Sequence, residues 1–159
     1  MKKLLNPYEK LDGYNCFGCS NNNISGLHMK FYENGDEIYS QWQPIQDFAG
    51  FKNILHGGIQ ATIMDEIASW VVTVKTGTSG VTSELTTKFL KPVRIVEDNP
   101  ISIKAKLVKR DDKKAYINAK IYNFEDELCS ESNVVYYLYP EEVARRKLFY
   151  PGRDAYFES

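Results

Sequence analysis

The sequence predicts an α+β fold in which an antiparallel sheet of about six strands wraps one long helix. Three observations predict it. A single long helical pattern runs from Gly57 to about Thr76, where "GTSG" stops it. Two segments of strand-like alternation precede that helix and four follow it. No second long helix is available to cover the first, so the sheet itself must curve around it.

The elements follow in chain order. Leu27–Tyr32 and Glu37–Gln43 alternate on either side of "ENGD", whose Asn-Gly pair signals a hairpin. "PIQDFAGFKN" reads as a loop with room for one helical turn, leading to His56 and the helix. Val81–Leu90 then alternates Val81, Ser83, Leu85, Thr87 and Phe89 against Thr82, Glu84, Thr86 and Lys88. Ile101–Lys109 sets Ile101, Ile103, Ala105 and Leu107 on one face, and Ala115–Phe124 sets Ala115, Ile117, Ala119 and Ile121. The charged link "KRDDKK" joins these two as an antiparallel hairpin, and the Val- and Tyr-rich Leu128–Tyr139 completes the set. Period-two alternation gives each strand one buried and one wetter face. Residues 1–139 thus form one domain. Residues 140–159 form an extension, with a short charged helix, "EEVARRKLF", broken by Pro151-Gly152.

Composition narrows the class. With 159 residues, 43% of them apolar, the chain is large enough to build a core without disulfide staples. A net charge of −1 supplies no basic field for nucleic acid or an anionic membrane. "MKKLLNPYEK" lacks the apolar run of a signal peptide, and no run approaches the ~20 residues of a membrane span. The expected location is the cytoplasm. Three cysteines, an odd number, fit a reducing compartment. Cys16 and Cys19 form a C-x-x-C, followed by turn-forming "SNNNISG" rather than the helix of a thioredoxin-type motif. A zinc site needs two further ligands, and only His28 lies at a plausible separation. Structural, metal and redox uses of the pair stay open, and no metal is assigned.

The central helix carries the chemistry. At 100° per residue, Ile63, Ile67, Trp70 and Val74 lie opposite Asp65 and form the stripe that packs on the sheet. Gly58, Ala61, Thr62, Ser69 and Val72 surround Asp65, a small-residue face suited to close approach by a ligand or another backbone. Glu66 falls at the edge of the stripe. Only Lys75 adds further charge between His56 and Val81, whereas a solvated helix face normally carries several charges. Gly57 and Gly58 open the helix with uncluttered backbone N–H groups, which could hold a carbonyl oxygen gaining negative charge. Asp65 lies eight residues further on, ~12 Å of helical rise. One chain therefore holds them too far apart to act on one carbonyl, and a two-fold dimer would bring Asp65 of one subunit beside Gly57 of the other.

These residues resemble a known family. "HGG" with a carboxylate nine residues after the His, the strand "SGVTSELTTKFLKPV" and the "CFGC…GLHMKF" segment are together similar to hotdog-fold acyl-CoA thioesterases of the phenylacetic-acid-pathway and human thioesterase-superfamily type. The resemblance spans Cys16 to about Tyr139. It implies Asp65 as nucleophile or general base, Gly57 N–H as carbonyl polariser, His56 as a positioning group and Thr82 as an assisting hydroxyl. Gly58, Glu66 and Asn53 are the expected substrate-binding residues. It implies hydrolysis of an acyl-CoA or related thioester by a homodimer or dimer of dimers (a homotetramer), with no cofactor. The family often carries Asn or Gln six residues before the His, where this chain has Gly50. That departure favours the alternative, a non-catalytic acyl-CoA-binding protein. A hydratase on the same fold would need an Asp and a His a few residues apart near the helix start, and the chain has no such pair.

Overall fold

A computed structural model describes all 159 residues. Seven strands form one antiparallel sheet: β1 (Lys2–Lys3), β2 (Tyr32–Asn34), β3 (Glu37–Trp42), β4 (Gly80–Phe89), β5 (Ile101–Arg110), β6 (Lys114–Tyr122) and β7 (Leu128–Leu138). Their spatial order is β1-β2-β3-β5-β6-β7-β4. The long helix α1 (Gly57–Lys75) packs on the concave side against β3 to β7, and a short α2 (Glu141–Lys147) follows the last strand. The inner faces of β5 and β6 are those the alternation predicts. Ile101, Ile103, Ala105, Ala115, Ile117, Ala119 and Ile121 are all buried against the helix stripe of Ile63, Ile67, Trp70 and Val74.

Two turns show how local chemistry sets the register. Between β5 and β6, Asp111 Oδ1 accepts the backbone N–H groups of Lys113 (2.9 Å) and Lys114 (2.8 Å), the Asx geometry that closes a tight turn. Between β2 and β3, Asn34 pairs with Glu37, so the two loop residues are Gly35 and Asp36 rather than the Asn34-Gly35 pair itself. Gly35 takes the first corner with φ of +60°, a conformation open to glycine.

Three expectations need correction. The first strand does not begin at Leu27. His28 has φ of +53°, which breaks an extended run, and Leu27 and Met29 donate instead to the carbonyls of Phe17 and Gly18. Pairing starts at Tyr32, and Lys2–Lys3 add a seventh strand alongside it. The third correction concerns β4. It has no buried face in the single chain, because it is the sheet's edge and nothing lies beyond it; Val81, Leu85 and Phe89 stay 43%, 37% and 54% exposed.

The chain after β7 completes the core. Tyr150 and Tyr156 are buried in the same cluster as α1. Tyr150 OH donates to Thr73 O (3.0 Å) and Arg153 Nε to Val74 O (3.1 Å), satisfying carbonyls in the last turn of α1. No helix is long and apolar enough to cross a membrane.

Candidate active site

The residues singled out on α1 fall into three places. The helix entrance is the first. His56 is the N-cap, and its Nδ1 accepts the Gly58 N–H at 2.9 Å. An accepting Nδ1 leaves the imidazole hydrogen on Nε2. A side chain at residue 58 would put Cβ only 3.1 Å from that Nδ1, so glycine there keeps the cap unstrained. The Gly57 N–H has no acceptor within the chain. It is thus a free donor at the positive end of a nineteen-residue helix. A cavity of about 540 Å³ opens here, lined by Gly50, Phe51, His56, Gly57, Gln60 and Phe89 among others.

Gly50 lies against His56: a Cβ built on it would sit 3.3 Å from both Cα and Cδ2 of His56. An amide side chain at this position would reach the helix entrance directly. Its absence leaves that space to the cavity. Asn53 does not substitute. Its side chain accepts from Gln46 Nε2 at 2.8 Å, and its backbone sits at φ of +59° in the loop. The two neighbouring amides therefore pair with each other.

Asp65 is the second place, two turns along the helix. Its Oδ1 accepts from Thr82 Oγ1 (2.8 Å) and from the Tyr136 hydroxyl (3.0 Å). The Tyr136 hydrogen is shared with the Asp65 carbonyl oxygen, also at 3.0 Å. Burial, then the charge of Asp65, push the Tyr136 phenol upward, so it stays a donor. Both donors anchor one carboxylate oxygen, and Oδ2 makes no bond within the chain. An anion with one oxygen fixed and the other free is arranged to accept a proton or attack a carbon. Thr82 reaches Asp65 because β4 crosses this face of the helix, where its pairing with β7 is interrupted between Thr82 and Glu84.

Glu66 occupies the third place and faces away from Asp65. It lies against Cys16 (3.6 Å) and accepts from Trp70 Nε1 at 3.2 Å. The structure thus joins His56, Gly57 and Gly58 at one end, Asp65 with Thr82 at mid-helix, and separates Glu66 and Asn53 from both. Tyr136 was missed by sequence reasoning. The signal was present: it stands between Val134 and Leu138 on the buried face of β7, a hydroxyl that must find a partner under the helix. Among the large aromatics around the helix, Trp42 and Trp70 are core and Phe48 packs against it, while Phe51 is 81% exposed.

A sheet curved around one helix, with a His-Gly-Gly cap and a mid-helix carboxylate, defines the hotdog architecture. A family model described as thioesterase superfamily matches residues 52–130, from just before the cap into β7. The chain is a hotdog-fold protein of the thioesterase superfamily. Among curated proteins it is 26% identical over 96 residues to a provisionally named esterase of Saccharolobus solfataricus, covering 60% of this chain and 62% of that one. The chain thus spans less than two thirds of that relative's length. Among solved structures, a Streptococcus mutans protein bound to acetyl-CoA aligns with a TM-score of 0.67 at 14% identity, over 83% of this chain and 98% of that one. The Escherichia coli PaaI protein of the phenylacetic acid degradation operon aligns with a TM-score of 0.64 at 13% identity, over 72% and 82% of the two chains. At these identities the structural likeness speaks to fold.

Proposed function

We propose that this protein hydrolyses an acyl-CoA or related thioester at a site shared between two copies of the chain. One observation carries the reading: Asp65 holds one oxygen on Thr82 and Tyr136 and keeps the other free, while the unpaired Gly57 N–H waits two turns away. Asp65 Oδ2 takes a proton from a water that attacks the thioester carbonyl, or attacks that carbon itself and is then released by water. The carbonyl oxygen gains charge against the Gly57 N–H, the C–S bond breaks, and the thiol leaves with a proton. His56, fixed by its cap bond, contributes its Nε2–H at the rim of the same cavity. Acyl-CoA is the favoured thioester because a structural neighbour is described as bound to acetyl-CoA.

The edge strand β4 supports a dimer. Its outer edge is unpaired over ten residues and exposes Val81, Leu85 and Phe89, a combination that folded proteins cover. Antiparallel pairing of β4 with its copy about a two-fold near the middle of the strand, at Leu85, would bring the Thr82 end of one strand beside the Phe89 end of the partner strand. Thr82 holds Asp65, and Phe89 packs beside Gly57, 3.5 Å from where its Cβ would be. That register therefore brings the carboxylate of one protomer to the helix entrance of the other.

The test is turnover of short, aryl and long acyl-CoAs, read as free thiol. Asp65→Asn should lower it by at least ~100-fold, the scale of losing an essential base. Undiminished turnover in a folded variant removes the assignment. Tight binding of acyl-CoA by the native chain without turnover would favour the binding-protein reading, which Gly50 beside His56 supports.

A further inference from the structure

The cysteine pair and Glu66 serve none of these steps, yet they meet. Cys16 and Cys19 lie on the loop that approaches the middle of α1 from the N-terminal side. Their sulfurs are 3.5 Å apart, and Cys16 Sγ is 3.6 Å from each Glu66 carboxylate oxygen. The three side chains offer donor atoms all within 4.8 Å of one another. We propose that Cys16, Cys19 and Glu66 bind one zinc ion, which clamps the N-terminal loop to the middle of α1, on the face away from Asp65.

Two of the three ligand separations match that ion, and the third, Cys19 to Glu66, lies within 4.8 Å. Tetrahedral zinc with Zn–S of ~2.3 Å and Zn–O of ~2.1 Å places two sulfurs ~3.8 Å apart and a sulfur and an oxygen ~3.6 Å apart. Two thiolates and a carboxylate are a borderline-soft donor set, suited to zinc rather than to calcium or magnesium.

The surroundings are those of a built site. The Tyr14 hydroxyl lies 3.1 Å from Cys19 Sγ, with Asn6 Nδ2 3.6 Å from the same sulfur. Trp70 Nε1 fixes one Glu66 oxygen. Gly18, between the cysteines, is required by the approach: a Cβ there would lie 2.4 Å from the Glu66 carboxyl carbon. Glu66 forms no ion pair with any Lys or Arg. His28, the ligand that sequence spacing suggested, is engaged elsewhere, with Nε2 at 2.5 Å from Asn23 O. The third ligand comes from the helix instead. All three ligands line a cavity of about 300 Å³ with Tyr14, Ser69 and Trp70, so a fourth position opens onto it for water.

The experiment uses the whole chain, reduced and stripped with a chelator, then titrated with Co²⁺ followed by Zn²⁺. The expected result is one Co²⁺ per chain, with thiolate-to-cobalt charge transfer and the intense visible bands of a tetrahedral ion, displaced by one equivalent of Zn²⁺. Cys16→Ser and Cys19→Ser should weaken binding by ~100-fold or more, and Glu66→Gln and Gly18→Ala by ~10-fold or more. Cys129→Ser should leave it unchanged, since that thiol is buried at the start of β7 with Glu127 O as its contact. A native chain that is folded after stripping and binds no Co²⁺, or shows a thiolate-free spectrum, overturns the proposal whatever the variants do. So does unchanged affinity in Cys16→Ser. Neither result bears on turnover by Asp65.

Discussion

Replacing Tyr136 with Phe removes one hydrogen bond to Asp65 and leaves the ring's packing under the helix in place. A hydrogen bond to a charged group is worth roughly 1.5–3 kcal/mol. Tyr136 splits its hydrogen between the Asp65 carboxylate and the Asp65 carbonyl, both at 3.0 Å, so the lower end applies. At about 1.4 kcal/mol per decade, Tyr136→Phe should lower kcat about tenfold. Thr82→Val removes an undivided 2.8 Å bond and should cost at least as much. The double variant frees Oδ1 to rotate and should approach the ~100-fold loss of Asp65→Asn. The assay is thiol release from the acyl-CoA that the native protein hydrolyses best, under saturating substrate, with KM measured in parallel. KM should hold while kcat falls, because the two hydroxyls orient the reacting oxygen and do not line the cavity at the helix entrance. If both single variants fold and keep native kcat while Asp65→Asn loses it, the anchoring of Oδ1 is irrelevant to the chemistry.

Two further outcomes follow from the edge strand and from the helix's far end. Leu85→Lys places a charge at the centre of the exposed β4 edge and should weaken self-association by ~10-fold or more in sedimentation velocity, with turnover falling in step. Burial works to raise the Glu33 carboxyl, but Lys75 (2.5 Å) and Arg153 (3.3 Å) outweigh it and hold it below the usual glutamate range. A depressed folded value adds stability above the unfolded pKa of ~4.3 that is lost as pH falls through the folded one. Denaturant midpoints for Glu33→Gln and the native chain should therefore differ at neutral pH and converge in acid.

Much of the fold was legible because its signals are local. The inner faces of β5 and β6 follow from alternation, and α1 from its stripe and the "GTSG" stop. What failed was set by contacts that a linear pattern does not carry. Leu27 to Phe31 alternate well, yet a left-handed His28 and pairing with the cysteine loop take them out of the sheet. The β4 pattern promises a buried face, but burial there needs a neighbour that one chain lacks. At the site, the small-residue face around Asp65 and the glycine-opened helix entrance are legible in helical periodicity, whereas Thr82 enters only through the family resemblance, and the structure sets its hydroxyl 2.8 Å from Asp65. Tyr136 was hidden because its partner lies 71 positions away in sequence, on an element whose crossing of α1 only the topology fixes. Glu66 reads as a companion of Asp65 along the chain, but adjacent helical positions point about 100° apart, and its partners are the cysteines.

If each site takes Asp65 from one protomer and the Gly57 N–H from another, mixed dimers of two inactive variants recover activity. Gly57→Pro deletes that N–H at the first helical position, where proline is well tolerated, and His56 before it is already extended at ψ of 134°. Alone, Gly57→Pro and Asp65→Asn should each be nearly inactive. Unfolded together and refolded at equal ratio, half the dimers pair one variant with the other, and each of those holds one intact site. Recovery of ~25% of native activity is the predicted result for a two-fold dimer. No recovery, with mixed dimers demonstrably formed, would contradict a site shared across the interface.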